Sequence, residues 1–188
     1  MRDQLVGKIT PESVTLNMLE TERLLFRKFT MGDLEWLHAL RSDKDVARYL
    51  GGIQPRDNVE MRLRWYVDCY RQQGFGYCLM TYKPGGEAIG WAGLQPLENT
   101  GEIEVGYGIA KAYWGLGLAT EACKAWMEFG FDQLGLKRIA AIAIPENTAS
   151  RRVMEKAGMK YEKNIEARGY ECALYAISKE EFAQLNET

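Results

Sequence analysis

The spacing of apolar residues changes period several times along the chain, and each change predicts an element. LETERLLFRKFT alternates and predicts a first strand near Arg23–Phe29. Thr30-Met31-Gly32-Asp33 has N-cap character ahead of a helix that runs through Arg41. Leu63, Tyr66, Val67 and Tyr70 stand at helical spacing inside a second helix, roughly Asp57–Gln73. A strand-rich centre follows. Gly76–Tyr82 and Ala88–Leu97 are joined by the hairpin signal Lys83-Pro84-Gly85-Gly86, and Glu102–Ile109 comes after the turn Asn99-Thr100-Gly101. Ala122, Ala125, Trp126 and Phe129 mark the inward face of a helix over roughly Gly117–Leu134, stopped by Gly135. Lys137–Ile144 is an apolar, β-branched run, the pattern of a strand covered on both faces, and Pro145 ends it. Asn147 opens a shorter helix to about Ala157. Strands near Met159–Ala167 and Tyr170–Ser178 then pair across Arg168-Gly169, and a short helix from Ser178 closes the chain. The order implies an α/β (α+β) fold, with a mixed, largely antiparallel sheet of about seven strands and four or five helices.

Composition narrows the classes. The 188 residues suffice for one domain with a real core, and 46% hydrophobic with 27% charged residues is an ordinary globular balance. There is no repeat or linker, so residues 19–188 are expected to form a single domain behind an N-terminal extension, 1–18. A net charge of -2 supplies no basic field for direct nucleic-acid binding. The first twenty residues lack an apolar core of signal-peptide type. Runs such as Ile139–Ile144 are too short to cross a bilayer, so the expectation is a cytoplasmic protein without membrane contact. Cys69, Cys78, Cys123 and Cys172 form no C-x-x-C pair and read as reduced, buried thiols rather than metal ligands. His38, the only histidine, lies in a helix-like stretch, and G-x-S-x-G is absent, which argues against a serine hydrolase.

The stretch YWGLGLATEA raises the question of function. Gly115 and Gly117 with small residues behind them, entering a helix, leave several N–H groups free beside the positive end of a dipole. Such a turn cradles a pyrophosphate or is simply a tight strand-to-helix connection. No Lys-Ser or Lys-Thr follows, so it is not a P-loop. Thr120 stands where a dinucleotide fold has its third glycine, and no acid lies at Leu134–Arg138, so that reading falls as well.

Here the chain resembles the GNAT acyltransferases, whose loop signature is Q/R-x-x-G-x-G/A. Trp114-Gly115-Leu116-Gly117-Leu118-Ala119 matches it with Trp114 in the Gln/Arg place. YWGLGLATEA is similar to the branch that acetylates ribosomal-protein N-termini, where a Trp is familiar. Three further stretches agree: Leu19-Glu20-Thr21-Glu22-Arg23-Leu24, Glu104-Val105-Gly106-Tyr107, and the run from Asn147 to Met159 that resembles N-x-x-S-x-x-V-x-x-K-x-G-F. The likeness covers about residues 19 to 177. It implies acetyl-CoA as co-substrate, no metal, and a central pair of strands that splay to admit the pantetheine arm. It also implies cofactor contacts from Tyr107, Ile109, Trp114, Gly115, Leu116, Gly117, Leu118, Ala119, Thr120 and Asn147. A backbone N–H near Ile109 would meet the thioester oxygen.

Acetyl transfer to an amine needs a base and a proton for the departing thiol. Glu104 is the candidate base, with a solvated or structurally paired glutamate as the alternative. Met154 occupies the place where many relatives carry a tyrosine acid. The branch instead points to Ser150, whose ordinary role is a local bond in a first helical turn. Arg151, Arg152 and Lys156 read as a solvated helix face more than as phosphate contacts. The acceptor is a primary amine, with a peptide N-terminus, a polyamine and an aminoglycoside-like amine all open. Trp36, Tyr49, Tyr66, Arg168, Tyr170 and Glu171 are candidate walls, and Asp43, Asp45 and Glu171 are candidate partners for a cation. A non-catalytic acyl-CoA sensor is the rival reading. The chain is expected as a monomer or homodimer.

Overall fold

The computed structural model describes residues 19–186, so the expected extension over 1–18 lies outside the described residues. β1 (Leu24–Lys28) leads through a 3-10 turn into α1 (Leu34–Ser42), α2 (Lys44–Ala47) and α3 (Arg56–Gln73). A meander follows, β2 (Tyr77–Tyr82), β3 (Glu87–Pro96) and β4 (Ile103–Ile109). Then come α4 (Leu118–Asp132), β5 (Arg138–Ala143), α5 (Thr148–Lys156), β6 (Lys160–Ala167), β7 (Tyr170–Ser178) and α6 (Lys179–Asn186). The strands form one sheet in the order β1-β2-β3-β4-β5-β7-β6. All seven expected strands are present. The described residues hold six α-helices rather than four or five. The unexpected one is α2, a single turn begun by Asp43, whose carboxylate accepts from the Asp45 and Val46 N–H groups. Four residues are too few to carry a readable period.

Alternation along the strands sends side chains to two cores. On one face, Leu24, Phe26, Cys78, Met80, Ile89, Val105 and Ile139 pack beneath α4. Trp126 of that helix is fully buried. It meets Phe26 edge-on at 5.6 Å and Phe129 at 5.4 Å between ring centroids. On the other face, α1 and α3 lay Leu37, Val59, Leu63 and Tyr66 over Tyr77, Leu79 and Trp91. All four cysteines are free and buried. Burial pushes the Cys78 and Cys123 thiols up to about 12, which keeps them protonated and inert.

One junction of the sheet differs from the rest. β4 and β5 are parallel and meet at a single register pair, Glu104 with Ala140. The Ala110 N–H donates to the Ile89 carbonyl at 2.8 Å, which fixes the phase of the β3–β4 ladder. Residues 104, 106 and 108 therefore bond toward β3, while 105, 107 and 109 turn their main-chain groups toward β5. Beyond Glu104 the two strands part, and the Tyr107 and Ile109 N–H groups face the gap, as the splayed-strand expectation requires.

Truncation of Trp126 removes the largest side chain from the α4 interface. Trp126→Ala is expected to destabilise the fold by about 3–5 kcal/mol, read as a lower urea midpoint with an unchanged slope. A loss below about 1 kcal/mol would deny Trp126 its place as the centre of that core.

Candidate active site

The loop between β4 and α4 is set by three tethers. Gly115 and Gly117 both have φ of +78°, a conformation that side-chain-bearing residues rarely adopt, and Gly117 is the residue from which α4 starts. The Trp114 indole N–H donates to the Ile109 carbonyl at 2.8 Å and ties the loop to the end of β4. Leu118 is buried and roots the helix. Leu116 points its side chain to solvent, and its carbonyl accepts from Arg23 Nη1 at 2.9 Å.

Arg23 also grips the first turn of α4. Its Nε and Nη2 meet Glu121 Oε2 at 2.7 and 2.6 Å, and its own N–H donates to Glu121 Oε1, which also accepts from Thr21 Oγ1. Burial raises the Glu121 carboxyl, but the bonds from Thr21 and Arg23 outweigh it and hold the group below its ordinary value. The motif Glu20-Thr21-Glu22-Arg23 is thereby given a physical role: it clamps the glycine loop. Sequence reasoning assigned nothing to Arg23 or Glu121. They lie 98 residues apart, and no local pattern joins them.

A cleft of about 410 Å³ opens between the loop, the end of β4 and α5. Ten of the twelve residues named from the sequence line it: Tyr107, Ile109, Trp114, Gly115, Gly117, Leu118, Ala119, Thr120, Asn147 and Ser150. Leu116 and Glu104 do not. Arg152 and Lys156, read from the sequence as a solvated face, are exposed but line this cleft, whereas Arg151 turns away to the Tyr175 hydroxyl and the Pro145 carbonyl. Helical spacing put the three cations close together, and only the docking of α5 separated their roles. Val46, Tyr49 and Leu50 form the far wall, beside an Asp45–Lys111 ion pair at 2.6 Å.

Asn147 caps α5 by accepting from the Ser150 N–H at 3.1 Å. The Tyr107 hydroxyl reaches from β4 to within 3.1 Å of both the Ser150 carbonyl and Oγ. Burial pushes the Tyr107 hydroxyl well above its ordinary range, so the pair is a neutral donor set inside the cleft.

Glu104 leaves β4 on the opposite face, toward α1 and α3. The same face carries Gly106 and Gly108, where any Cβ would strike the Tyr77 hydroxyl or the Trp91 ring. The carboxylate is buried at 2% exposure and sits at the residue where β4 and β5 part. It is not solvated: Gln95 Nε2 and Arg168 Nη2 both donate to its Oε1. Of the other expected acceptor walls, Tyr66 belongs to the core, and Trp36 is half-buried with its indole N–H on the Ala88 carbonyl. Glu171 accepts from Asn164, and Asp43 is the cap of α2.

Residues 23–160 match the profile of the acetyltransferase (GNAT) domain, nearly three quarters of the chain. This protein belongs to the GNAT acetyltransferase family. The acetyltransferase is 32% identical over 160 residues to the protein YkkB of Bacillus subtilis, spanning 84% of this chain and 93% of that one. A GNAT-family acetyltransferase from Bacillus anthracis superposes with a TM-score of 0.74 at 29% identity, covering 87% of this chain and 99% of that one. The fold alone is shared with two more distant enzymes crystallised with coenzyme A. One is an aminoglycoside acetyltransferase, with TM-score 0.75, 19% identity and coverages of 87% and 99%. The other is a ribosomal L7/L12 α-N-protein acetyltransferase, with TM-score 0.71, 15% identity and coverages of 86% and 98%. The neighbours therefore fix the family without singling out the ribosomal branch that the motifs resemble.

Two variants test the loop. Gly117→Val forces a β-branched residue into the left-handed region at the mouth of the cradle and is expected to abolish coenzyme A binding in calorimetry. Normal affinity would remove the loop from the site. Glu121→Gln is expected to cost about 1–3 kcal/mol of stability at neutral pH, because it leaves Arg23 without its charged partner. A carboxyl held below its unfolded value contributes fully above that value and loses its effect as pH falls through the folded one, so the gap to wild type closes in acid. A gap independent of pH would show that the Glu121 charge has no part in the clamp.

Proposed function

We propose that this acetyltransferase transfers the acetyl group of acetyl-CoA directly to a primary amine bound in the same complex. The observation that carries the reading is the parting of β4 and β5 at Glu104, with a glycine loop at the far end of the same cleft. The residues fit a coenzyme A thioester: two left-handed glycines present main-chain donors at the start of α4, and Arg152 and Lys156 add positive charge. The gap-facing groups of Tyr107 and Ile109 offer main-chain partners to an amide-containing arm, which offsets the cost of leaving them unpaired. The Ile109 N–H is the donor for the thioester oxygen, since its carbonyl is held by Trp114.

The amine arrives protonated. Removing that proton at neutral pH costs roughly 4–5 kcal/mol for a lysine-like amine and about 1 kcal/mol for an α-amine. Glu104 takes it, directly or through one water, from the face opposite the cleft. The freed nitrogen attacks the carbonyl carbon, the C–N bond forms, and the C–S electrons leave on sulfur. Ser150 Oγ, backed by the Tyr107 hydroxyl, protonates the sulfur. The nitrogen gives up two protons in all, one matching the proton gained by sulfur and one passing to solvent. Both a peptide N-terminal amine and a small-molecule amine satisfy this chemistry.

The decisive experiment is release of free thiol from acetyl-CoA in the presence of a panel of peptides, polyamines and aminoglycosides. With the amine that supports turnover, Glu104→Gln is expected to lower kcat/KM about a hundredfold or more near neutral pH. The deficit should shrink as pH rises toward the amine's own pKa, with coenzyme A affinity intact. A pH–rate profile parallel to that of wild type would remove Glu104 as the base.

A further inference from the structure

Glu104 is engaged in a way that its proposed role does not explain. Among the described residues the one cation bonded to it is Arg168, at the apex of the β6–β7 turn, where Arg168 and Gly169 take φ of +55° and +79°. The guanidinium enters from outside, for its side chain remains 43% exposed while the carboxylate is 2% exposed. Gln95 stands directly opposite Glu104 in the β3–β4 ladder and is itself 5% exposed. Its orientation is set by the carboxylate, because a flipped amide would place two acceptors together. Both bonds to Glu104 end on Oε1. Among the described residues Glu104 Oε2 accepts no hydrogen bond, and the buried Gln95 Oε1 has no partner at all. An unpartnered buried carbonyl is costly, and a donor arriving from outside recovers that cost.

We infer that Glu104 and Gln95 form the seat of the acceptor's ammonium group, and that Arg168 closes this seat as an internal stand-in which the substrate expels. The inference rests on the acetyltransferase reading above and adds the partner and the gate of that site. A primary ammonium carries three N–H donors on one atom, enough for Glu104 Oε2 and Gln95 Oε1 together, whereas the Arg168 guanidinium leaves both unused. Two cations beside one carboxylate repel each other, so an ammonium drawn to Glu104 weakens the guanidinium's hold, and the Arg168 side chain, 43% exposed, has solvent to leave into. Expulsion is also what the chemistry needs, since the base must be reached by the amine. The turn can give way outward: Tyr170, next to it, is exposed and stands against the left-handed Gly51 of the loop before α3 rather than in a core.

The test uses propylammonium as the probe, with tetramethylammonium, which has the charge but no N–H donor, as the comparison. The Arg168 side-chain N–H resonance is assigned by its absence in Arg168→Gln. Propylammonium is expected to move that resonance, saturably, toward its position in Glu104→Gln, and tetramethylammonium is not. Arg168→Gln should bind propylammonium about tenfold more tightly, the gain for a seat otherwise closed about nine-tenths of the time. Unaltered coenzyme A affinity in the same variant reports an intact fold. An unmoved resonance, or equal affinity in Arg168→Gln, overturns the gate while leaving the acetyltransferase assignment standing. Failure of the wild-type protein to bind coenzyme A would overturn both.

Discussion

The site exists because two neighbouring parallel strands stop pairing after one register position. β4 is satisfied along its whole length by β3, so it can leave β5 without losing its place in the sheet. β5 is held in the same way by β7 over Arg138–Ala143. Each strand is anchored on its outer side, and the inner sides are free to diverge. A wedge of polar main chain is thereby opened in the middle of an apolar sheet. That is costly for a protein with no ligand to fill it and useful for one that binds an amide-bearing arm.

The wedge positions chemistry on both faces of the sheet. Tyr107 leaves β4 toward α4 and meets Ser150 at the start of α5, while Glu104, three residues earlier, leaves toward α1 and α3. The period of two along a strand separates a donor pair on the cleft side from a carboxylate on the other, with the parting point between them. Glycines at 106 and 108 accommodate the Tyr77 and Trp91 rings that cover this second face.

The loop that opens the cleft is held from a distance. Arg23, at the start of the first strand, bonds the Leu116 carbonyl and the Glu121 carboxylate together, so the curvature of the loop and the first turn of α4 are fixed by one side chain. A fork donor suits this task because a planar guanidinium reaches two acceptors in fixed geometry. Trp114 adds a second tie through its indole N–H. That bond braces the loop against the end of β4.

Periodicity, turn residues and helix caps were enough to determine the seven strands and the long helices, because these depend on neighbours within a few residues, whereas the left-handed conformation of Gly115 and Gly117 emerged only in the folded loop. The motif stretches brought Tyr107, the glycine loop, Asn147 and Ser150 to one candidate site, and they do line one cleft. What the sequence by itself did not hold was everything decided by pairs far apart in the chain: the Arg23–Glu121 clamp, the division of Arg151 from Arg152 and Lys156, and the Gln95–Glu104–Arg168 cluster. Each depends on which elements lie side by side and which way a side chain leaves them. Hydrogen bonds and ion pairs act over a few ångströms, and only the folded sheet brings residues 64 or 98 positions apart within that range.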